Sequence, residues 1–226
     1  MEEEWICSVD PGSKNFSFGV EVFDTSMLSK LSYPPKNKRF IEKGKKTKRG
    51  ENLEPSEEYV DFLEKFWHCG RTVHTSVSDI TNGVKGKGKT ILTNQDLVRL
   101  SELLDSHIEL FDKCTTFVIE KQMAFKGVRN PVAIKVADFV MSYFLIKYKN
   151  SKKVVEHTAY LKTQLLGCPG GLDKPKRKKW ATEKADEIWS YRGDMNTVDM
   201  VGSIKKKDDV SDCLLLSLSY IISDRF

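Results

Sequence analysis

The apolar positions of the chain fall into two periods. Residues 16–23 alternate, with Phe16, Phe18, Val20 and Val22 set against Ser17, Gly19 and Glu21. That period of two predicts a strand. Residues 5–10 form a short β-rich run stopped by Pro11-Gly12, so the two runs predict a hairpin across that turn. A β-like pattern returns over residues 71–80 through Val73, Val77 and Ile80. Residues 115–119 are continuously apolar and end at Glu120, and residues 153–156 form another short strand. Helical spacing separates these runs. Leu97, Leu100, Leu103, Leu104, Ile108 and Phe111 share one face of a helix over residues 95–112, behind Asn94 as N-cap. Asn130-Pro131 opens a long apolar helix to about residue 148, with Pro in its first turn. Residues 174–191 read as a basic helix, and residues 208–224 as a last helix, polar at its start and apolar after.

Strands that alternate with helices in the second half imply parallel pairing, and the opening hairpin makes the sheet mixed. The expected fold class is therefore α/β, a mixed five-stranded sheet flanked by helices. The chain is expected to form a single domain over residues 1–226. Residues 24–70 change character and read as a basic insertion between strands 2 and 3. They are Pro-, Lys- and Gly-rich to about residue 51, where a mobile loop is expected, and then carry one amphipathic helix over residues 57–67.

The chain has 226 residues, of which 39% are hydrophobic and 31% charged. That supplies a core and excludes disorder throughout. The longest apolar stretch, residues 214–222, is interrupted by Ser217 and Ser219. It is far short of the roughly 20 residues that span a bilayer. The start, Met1-Glu2-Glu3-Glu4, is acidic where a signal or transit peptide would be basic, so an intracellular protein is expected. Cys7, Cys69, Cys114, Cys168 and Cys213 are odd in number and widely spaced, which argues against a disulfide framework and a compact zinc cluster. The formal charge of +5 hides an asymmetry. Residues 36–49 hold eight Lys/Arg against one acid, a local +7 that leaves −2 for the rest. Further basic clusters lie at Lys85-Lys87-Lys89, residues 174–179 and Lys205-Lys206-Lys207. Charge gathered in this way suits a polyanionic partner, nucleic acid first.

The chemistry concentrates in carboxylates at element ends. Asp10 closes the first strand, Glu120 closes the fourth, and Asp208, Asp209 and Asp212 open the last helix. Sites in mixed α/β sheets gather at the carboxyl ends of parallel strands. Asp209 and Asp212 are three residues apart and share a helix face, while Val210, Cys213, Leu214, Ser217 and Ile221 mark another face that would dock. Each acid alone has an ordinary reading. Asp-Pro-Gly is common turn chemistry, Glu120 can pair with a neighbouring lysine, and acids in a first helical turn favour the dipole. Together they would repel, since each charge raises its neighbours' pKa. Hard divalent cations such as Mg²⁺ or Mn²⁺ relieve that repulsion, and two of them can drive phosphodiester hydrolysis.

These motifs resemble the RuvC-like Holliday junction resolvases of the RNase H superfamily, most closely the poxvirus-type branch. The residues that carry the likeness are Asp10-Pro11-Gly12-Ser13-Lys14-Asn15, Glu120-Lys121-Gln122, Arg177-Lys178-Lys179, and Lys206-Lys207-Asp208-Asp209-Val210-Ser211-Asp212. The likeness covers the chain outside residues 24–70, whose basic insertion departs from the compact members. It implies an RNase H-like fold, a homodimer, and Mg²⁺-dependent nicking of four-way DNA junctions with two ions per site, Mn²⁺ serving as well. By motif position it makes Asp10, Glu120, Asp209 and Asp212 the catalytic metal ligands, with Asp208 beside them. Lys14, Lys121, Arg129, Lys174, Lys176, Arg177, Lys178 and Lys179, with Asn15 and Gln122 of the same motifs, would hold DNA. Neither a membrane nor a nucleotide cofactor is expected.

Other readings compete. Residues 83–90 fit G-x-x-x-x-G-K-T, but Thr81-Asn82 come before it and residues 91–94 delay the next helix. A phosphate-binding loop needs a strand directly before and a helix at once after. The segment reads instead as a flexible loop near DNA phosphates. A sugar-kinase or actin-type ATPase needs two such domains. An RNase H acting on hybrids, or a non-catalytic nucleic-acid-binding protein using residues 36–49, fits the same composition. His68, His74, His107 and His157 show no ligand spacing, Trp180 and Trp189 read as core or dimer contacts, and Phe125 as helix packing.

Overall fold

The computed structural model describes residues 2–43, 53–81, 92–122, 130–204 and 206–226. Arg129, Phe125 and the Gly/Lys segment 83–90 lie outside them, as does most of the basic loop after Lys43.

The chain opens with β1 (Glu3–Pro11) and β2 (Phe16–Asp24), then α1 (Thr25–Leu28), the short pair β3 (Phe40–Glu42) and β4 (Leu53–Pro55), and α2 (Glu57–Trp67). β5 (Gly70–Ser78), α3 (Asn94–Asp105), α4 (Ile108–Phe111), β6 (Thr116–Lys121) and α5 (Pro131–Tyr148) follow. The last part holds β7 (Lys153–Thr158), α6 (Ala159–Gln164), α7 (Lys174–Arg192), α8 (Met195–Ser203) and α9 (Lys207–Arg225). The main sheet has five strands in the order β5-β2-β1-β6-β7. β1, β2 and β5 pair antiparallel, whereas β1, β6 and β7 run parallel. This is the mixed α/β sheet that the sequence predicts.

Alternation along the strands sends side chains to two cores. Cys7, Val9, Phe16, Phe18, Phe117 and Ile119 pack with Leu100 and Leu104 of α3 and with Val136, Val140 and Phe144 of α5. Ile6, Phe23 and Val118 point the other way, against α2, α7 and α9. Tyr59, Phe62 and Phe66 of α2 lie in this second core, so the amphipathic helix of the insertion is part of the body of the protein.

Several expected boundaries shift. The helix expected over residues 95–112 is two helices, broken at Ser106 and His107. The His107 ring instead stacks edge-on to Phe18 at 5.0 Å. Its cap is Thr93, one residue earlier than Asn94, in a reciprocal capping box with Asp96. α9 is buried nearly all round from Val210 to Ile222, where one apolar face was expected. Two of its serines permit this by bonding to their own helix, while Ser217 Oγ is buried without a partner. Ser211 Oγ donates to the Lys207 carbonyl at 2.8 Å and Ser219 Oγ to the Leu216 carbonyl at 3.1 Å. α1, the β3–β4 pair, α6 and α8 were not expected from the sequence.

Behind the sheet, Arg192 and Glu21 form an ion pair at 2.6 Å with side chains only 1% and 2% exposed. Thr72 Oγ1 donates to Glu21 and accepts from Trp189 Nε1, while Arg192 Nε donates to the Trp67 carbonyl. This buried network ties α7 to β2, β5 and the end of α2, with Arg192 Nη2 left without a hydrogen-bond partner. It sets the position of the helix whose first turn is basic.

Candidate active site and family

Three elements converge at one end of the sheet. In the parallel ladder Val9 lies opposite Ile119, so Asp10 and Glu120 emerge side by side from the carboxyl ends of β1 and β6. Gly12 closes the turn after Asp10, with its N–H donating to the Asp10 carbonyl at 3.0 Å. A Cβ there would stand 2.6 Å from the Asn15 carbonyl oxygen, which only glycine avoids. α9 crosses β2 at Gly19, where an added Cβ would meet Cys213 Cβ at 3.3 Å. Its register is pinned by two strand serines. Ser8 Oγ donates to the Cys213 carbonyl at 2.7 Å and Ser17 Oγ to the Asp209 carbonyl at 3.2 Å. This brings Asp209 and Asp212 to the same end as Asp10 and Glu120.

A fifth charged group stands among them. Lys162 of α6 is buried, with 7% of its side chain exposed. Its Nζ lies 2.6 Å from Glu120 Oε1 and 3.1 Å from Asp212 Oδ1. The sequence analysis assigns no element to residues 157–173, so this lysine is absent from the expected site residues. α6 is only six residues long, too short for periodicity to mark its buried face.

The electrostatics follow from burial and crowding. Burial pushes the Asp10 carboxyl well above the usual carboxylate range, and Glu120, Asp212 and Asp209 push it the same way, with Lys162 opposing. Burial also raises Asp212, with Lys162 opposing and Glu120 adding to the rise. For Asp209, burial and the adjacent Asp208 both raise it. Glu120 goes the other way. Burial penalises its charge, but the Lys162 ammonium, with hydrogen bonds from Lys162 and Gln122, outweighs that and holds it below its ordinary value. Burial would lower the pKa of Lys162, yet Asp212, Glu120 and Asp10 together raise it, so it stays protonated.

The other expected site residues divide. Gln122 Nε2 donates to Glu120 Oε2 at 3.1 Å and so orients that acid. The Asn15 amide oxygen accepts from Lys206 Nζ at 2.7 Å, linking the β1–β2 turn to the head of α9. Lys121 pairs with Glu156 at 3.4 Å, at the surface. Lys178 pairs with Asp208 at 2.8 Å, which turns Asp208 away from the cluster and lowers its pKa through that hydrogen bond. Lys179 pairs with Glu183 along α7 at 3.5 Å. Lys14, Lys174, Lys176 and Arg177 are exposed. Asp173 caps α7 by accepting from the Lys176 N–H.

Four carboxylates with one ammonium among them leave the cluster net negative, and the Asp209 Oδ2 atom is buried with no hydrogen-bond partner. An all-oxygen donor set of this charge fits a hard divalent cation. Among the described residues no three acidic, histidine or cysteine side chains yet form a closed cage for an ion. Between Glu120 and Asp212 the positive charge comes from Lys162.

No family model matches the chain. Uncharacterized protein 97L of Invertebrate iridescent virus 3 is 30% identical over 224 residues, spanning 95% of this chain and 98% of that protein. This chain belongs to the 97L family. Uncharacterized protein 170L of Invertebrate iridescent virus 6 is 28% identical over 137 residues, which is 52% of this chain and 54% of that protein. Among solved structures, the Fowlpox virus resolvase in complex with Holliday junction DNA aligns with a TM-score of 0.56. Sequence identity there is 17%, with 98% of this chain and 99% of that one covered. The yeast mitochondrial Holliday junction resolvase Ydc2 aligns with a TM-score of 0.53 at 13% identity, covering 96% of this chain and 77% of that one. The fold of this 97L-family chain is thus the one seen in these two Holliday junction resolvases. Among the described residues no helix is long and apolar enough to cross a membrane.

Proposed function

We propose that this protein is a divalent-cation-dependent endonuclease that resolves four-way DNA junctions as a homodimer during viral genome processing. The observation that carries the reading is the meeting of Asp10, Glu120, Asp209 and Asp212 at the carboxyl ends of β1 and β6, around a buried lysine. Those four acids would hold Mg²⁺ or Mn²⁺, which supplies Lewis-acid neutralisation of charge on a phosphodiester. The chain's own residues prepare the site. Lys162 and Gln122 fix both oxygens of Glu120 and keep it ionised. The Lys178–Asp208 pair joins the head of α7 to the head of α9. That sets Lys174, Lys176, Arg177 and Lys179 as a cationic rim beside the acids. Such a rim holds backbone phosphates without reading bases.

The dimer reading rests on α5. Its inward side packs against the sheet through Val136, Val140 and Phe144, while its exposed side carries Lys135, Asp138, Ser142 and Lys147 together with Leu145 at 46% and Ile146 at 75% exposure. Two large apolar side chains exposed side by side at the end of a helix mark a surface that a partner can cover. A two-fold axis at this face gives two identical sites, as paired cutting requires. Replacing Ile146 with Asp is expected to shift a dimer to monomer in sedimentation velocity, without loss of helical circular dichroism. The same change converts paired nicks into single ones. The activity itself is tested by cutting. A labelled four-way junction should be nicked at symmetric positions with Mg²⁺, and Glu120→Gln should bind it without nicking.

A further inference from the structure

The insertion and the segment after α6 are built together. Tyr59 Oη of α2 donates to the Leu165 carbonyl at 2.6 Å. The Gly170 N–H donates to the Leu53 carbonyl of β4 at 2.8 Å. The seam between them encloses a pocket of about 570 Å³. Its walls include Lys36, Arg39 and Phe40 from the insertion, Tyr160 from α6 and Arg177 from α7. Among the described residues no acidic one lines it. Tyr160 is 55% exposed. Arg39 is held in place, with its Nε donating to the Pro34 carbonyl at 2.7 Å and its guanidinium stacked on Tyr33 at 3.9 Å. α6 joins this pocket to the acids, because it sends Lys162 into the cluster and Tyr160, Thr163 and Gln164 to the pocket wall.

We propose that this pocket captures an unpaired nucleotide of the DNA strand next to the cutting site. The inference rests on the nuclease reading and extends it to a second subsite. The volume suits one nucleotide, since small-ligand sites run from about 300 to 1,000 Å³. Three cations, with no acid among the described lining residues, suit phosphates, and an exposed tyrosine offers a stacking face that any base can use. The insertion supplies Lys36, Arg39 and Phe40 to one wall, and α6 and α7 supply Tyr160 and Arg177 to the other, which together make a strand-binding seam. Branched DNA with unpaired residues at its centre, such as a gapped or flapped junction, is then the favoured substrate class.

The test uses the full chain carrying Glu120→Gln and a four-way junction with a short unpaired strand at its centre, labelled with 2-aminopurine in that strand. Stacking on Tyr160 should quench the fluorescence on binding. Tyr160→Ala should abolish the quench and weaken binding of this junction about tenfold or more, as expected for loss of one base–aromatic stack. Tyr160→Phe should retain both. Thymidine monophosphate is a further probe. Competition by it at the same concentration as an oligothymidylate would mark a free-nucleotide site and overturn the strand reading. An unquenched wild-type signal, or a quench unchanged by Tyr160→Ala, also overturns the proposal. Paired nicking of ordinary junctions alongside an unchanged quench removes the pocket alone. A Tyr160-dependent quench in a protein that cuts no DNA removes the nuclease reading and leaves the pocket.

Discussion

Asp10→Asn is expected to abolish cutting while raising the thermal stability of the metal-free protein. The first effect follows from the cation chemistry. Losing several kcal/mol of charge stabilisation costs on the order of 10³-fold or more, at 1.36 kcal/mol per tenfold. The second follows from the sign of the pKa shift. Burial and the neighbouring acids hold Asp10 well above its ordinary value in the folded state. A raised carboxyl binds its proton more tightly when folded than when unfolded. Its contribution therefore favours folding at low pH and is lost as pH rises from the unfolded value of about 3.9 through the folded one. At neutral pH only the penalty remains, and the amide removes it. The two proteins should thus differ most in melting temperature at neutral pH and converge in acid. Divalent cation reverses the order. At a concentration about 100 times its dissociation constant it stabilises the wild type by about 2.7 kcal/mol. For a domain of this size that is about 5–10 °C. Asp10→Asn should show little of this gain, and EDTA should erase it in the wild type. Calorimetry at several pH values, with and without Mn²⁺, checks each part.

Lys162→Met has a large effect of the opposite sign on stability. Lys162 is the buried cation that faces Glu120 and Asp212. Removing one partner of a buried ion pair leaves uncompensated charge and typically costs about 3–5 kcal/mol. The melting temperature of the metal-free variant should fall by roughly 6–20 °C. The loss should be smaller in acid, where Glu120 and Asp212 take up protons. It should also be smaller with Mn²⁺, which brings positive charge back to the same oxygens. A variant that melts like wild type at neutral pH without metal would mean that Lys162 does not compensate these acids. Junction cutting by this variant should also fall by about 10- to 100-fold, the range seen when groups that orient metal ligands are removed.

Much of this site was legible in the sequence because its parts are local. Asp10 and Glu120 end strands whose apolar runs are plain, and Asp209 and Asp212 sit three apart on one helix. The mixed sheet follows from an early hairpin and later alternation of strands and helices. What could not be read depends on contacts far apart in the chain. Lys162 lies on a six-residue helix too short for periodicity to mark, and its burial is explained by Glu120, 42 residues away, together with Asp212 of α9. Ser211 and Ser219 of α9 look polar in sequence and are hidden by bonds to their own helix. The first part of the insertion reads as a loop because basic residues dominate its composition, and its helix is legible but not the place where it docks. Its docking depends on Tyr59 finding a carbonyl 106 residues away. Gln122 and Asn15 looked like DNA contacts, but their side chains are engaged inside the site, on Glu120 and Lys206.

The most direct test of the central claim is a gel assay with Mg²⁺ on three labelled substrates, a four-way DNA junction, a linear DNA duplex and an RNA–DNA hybrid, with wild type beside Glu120→Gln. Paired symmetric nicks in the junction alone, absent with Glu120→Gln although it still binds, are the expected result. Cutting of the hybrid instead of the junction would contradict it and make the protein a ribonuclease. Junction binding with no cutting, unchanged by the substitution, would contradict it as well and leave the acids a structural role.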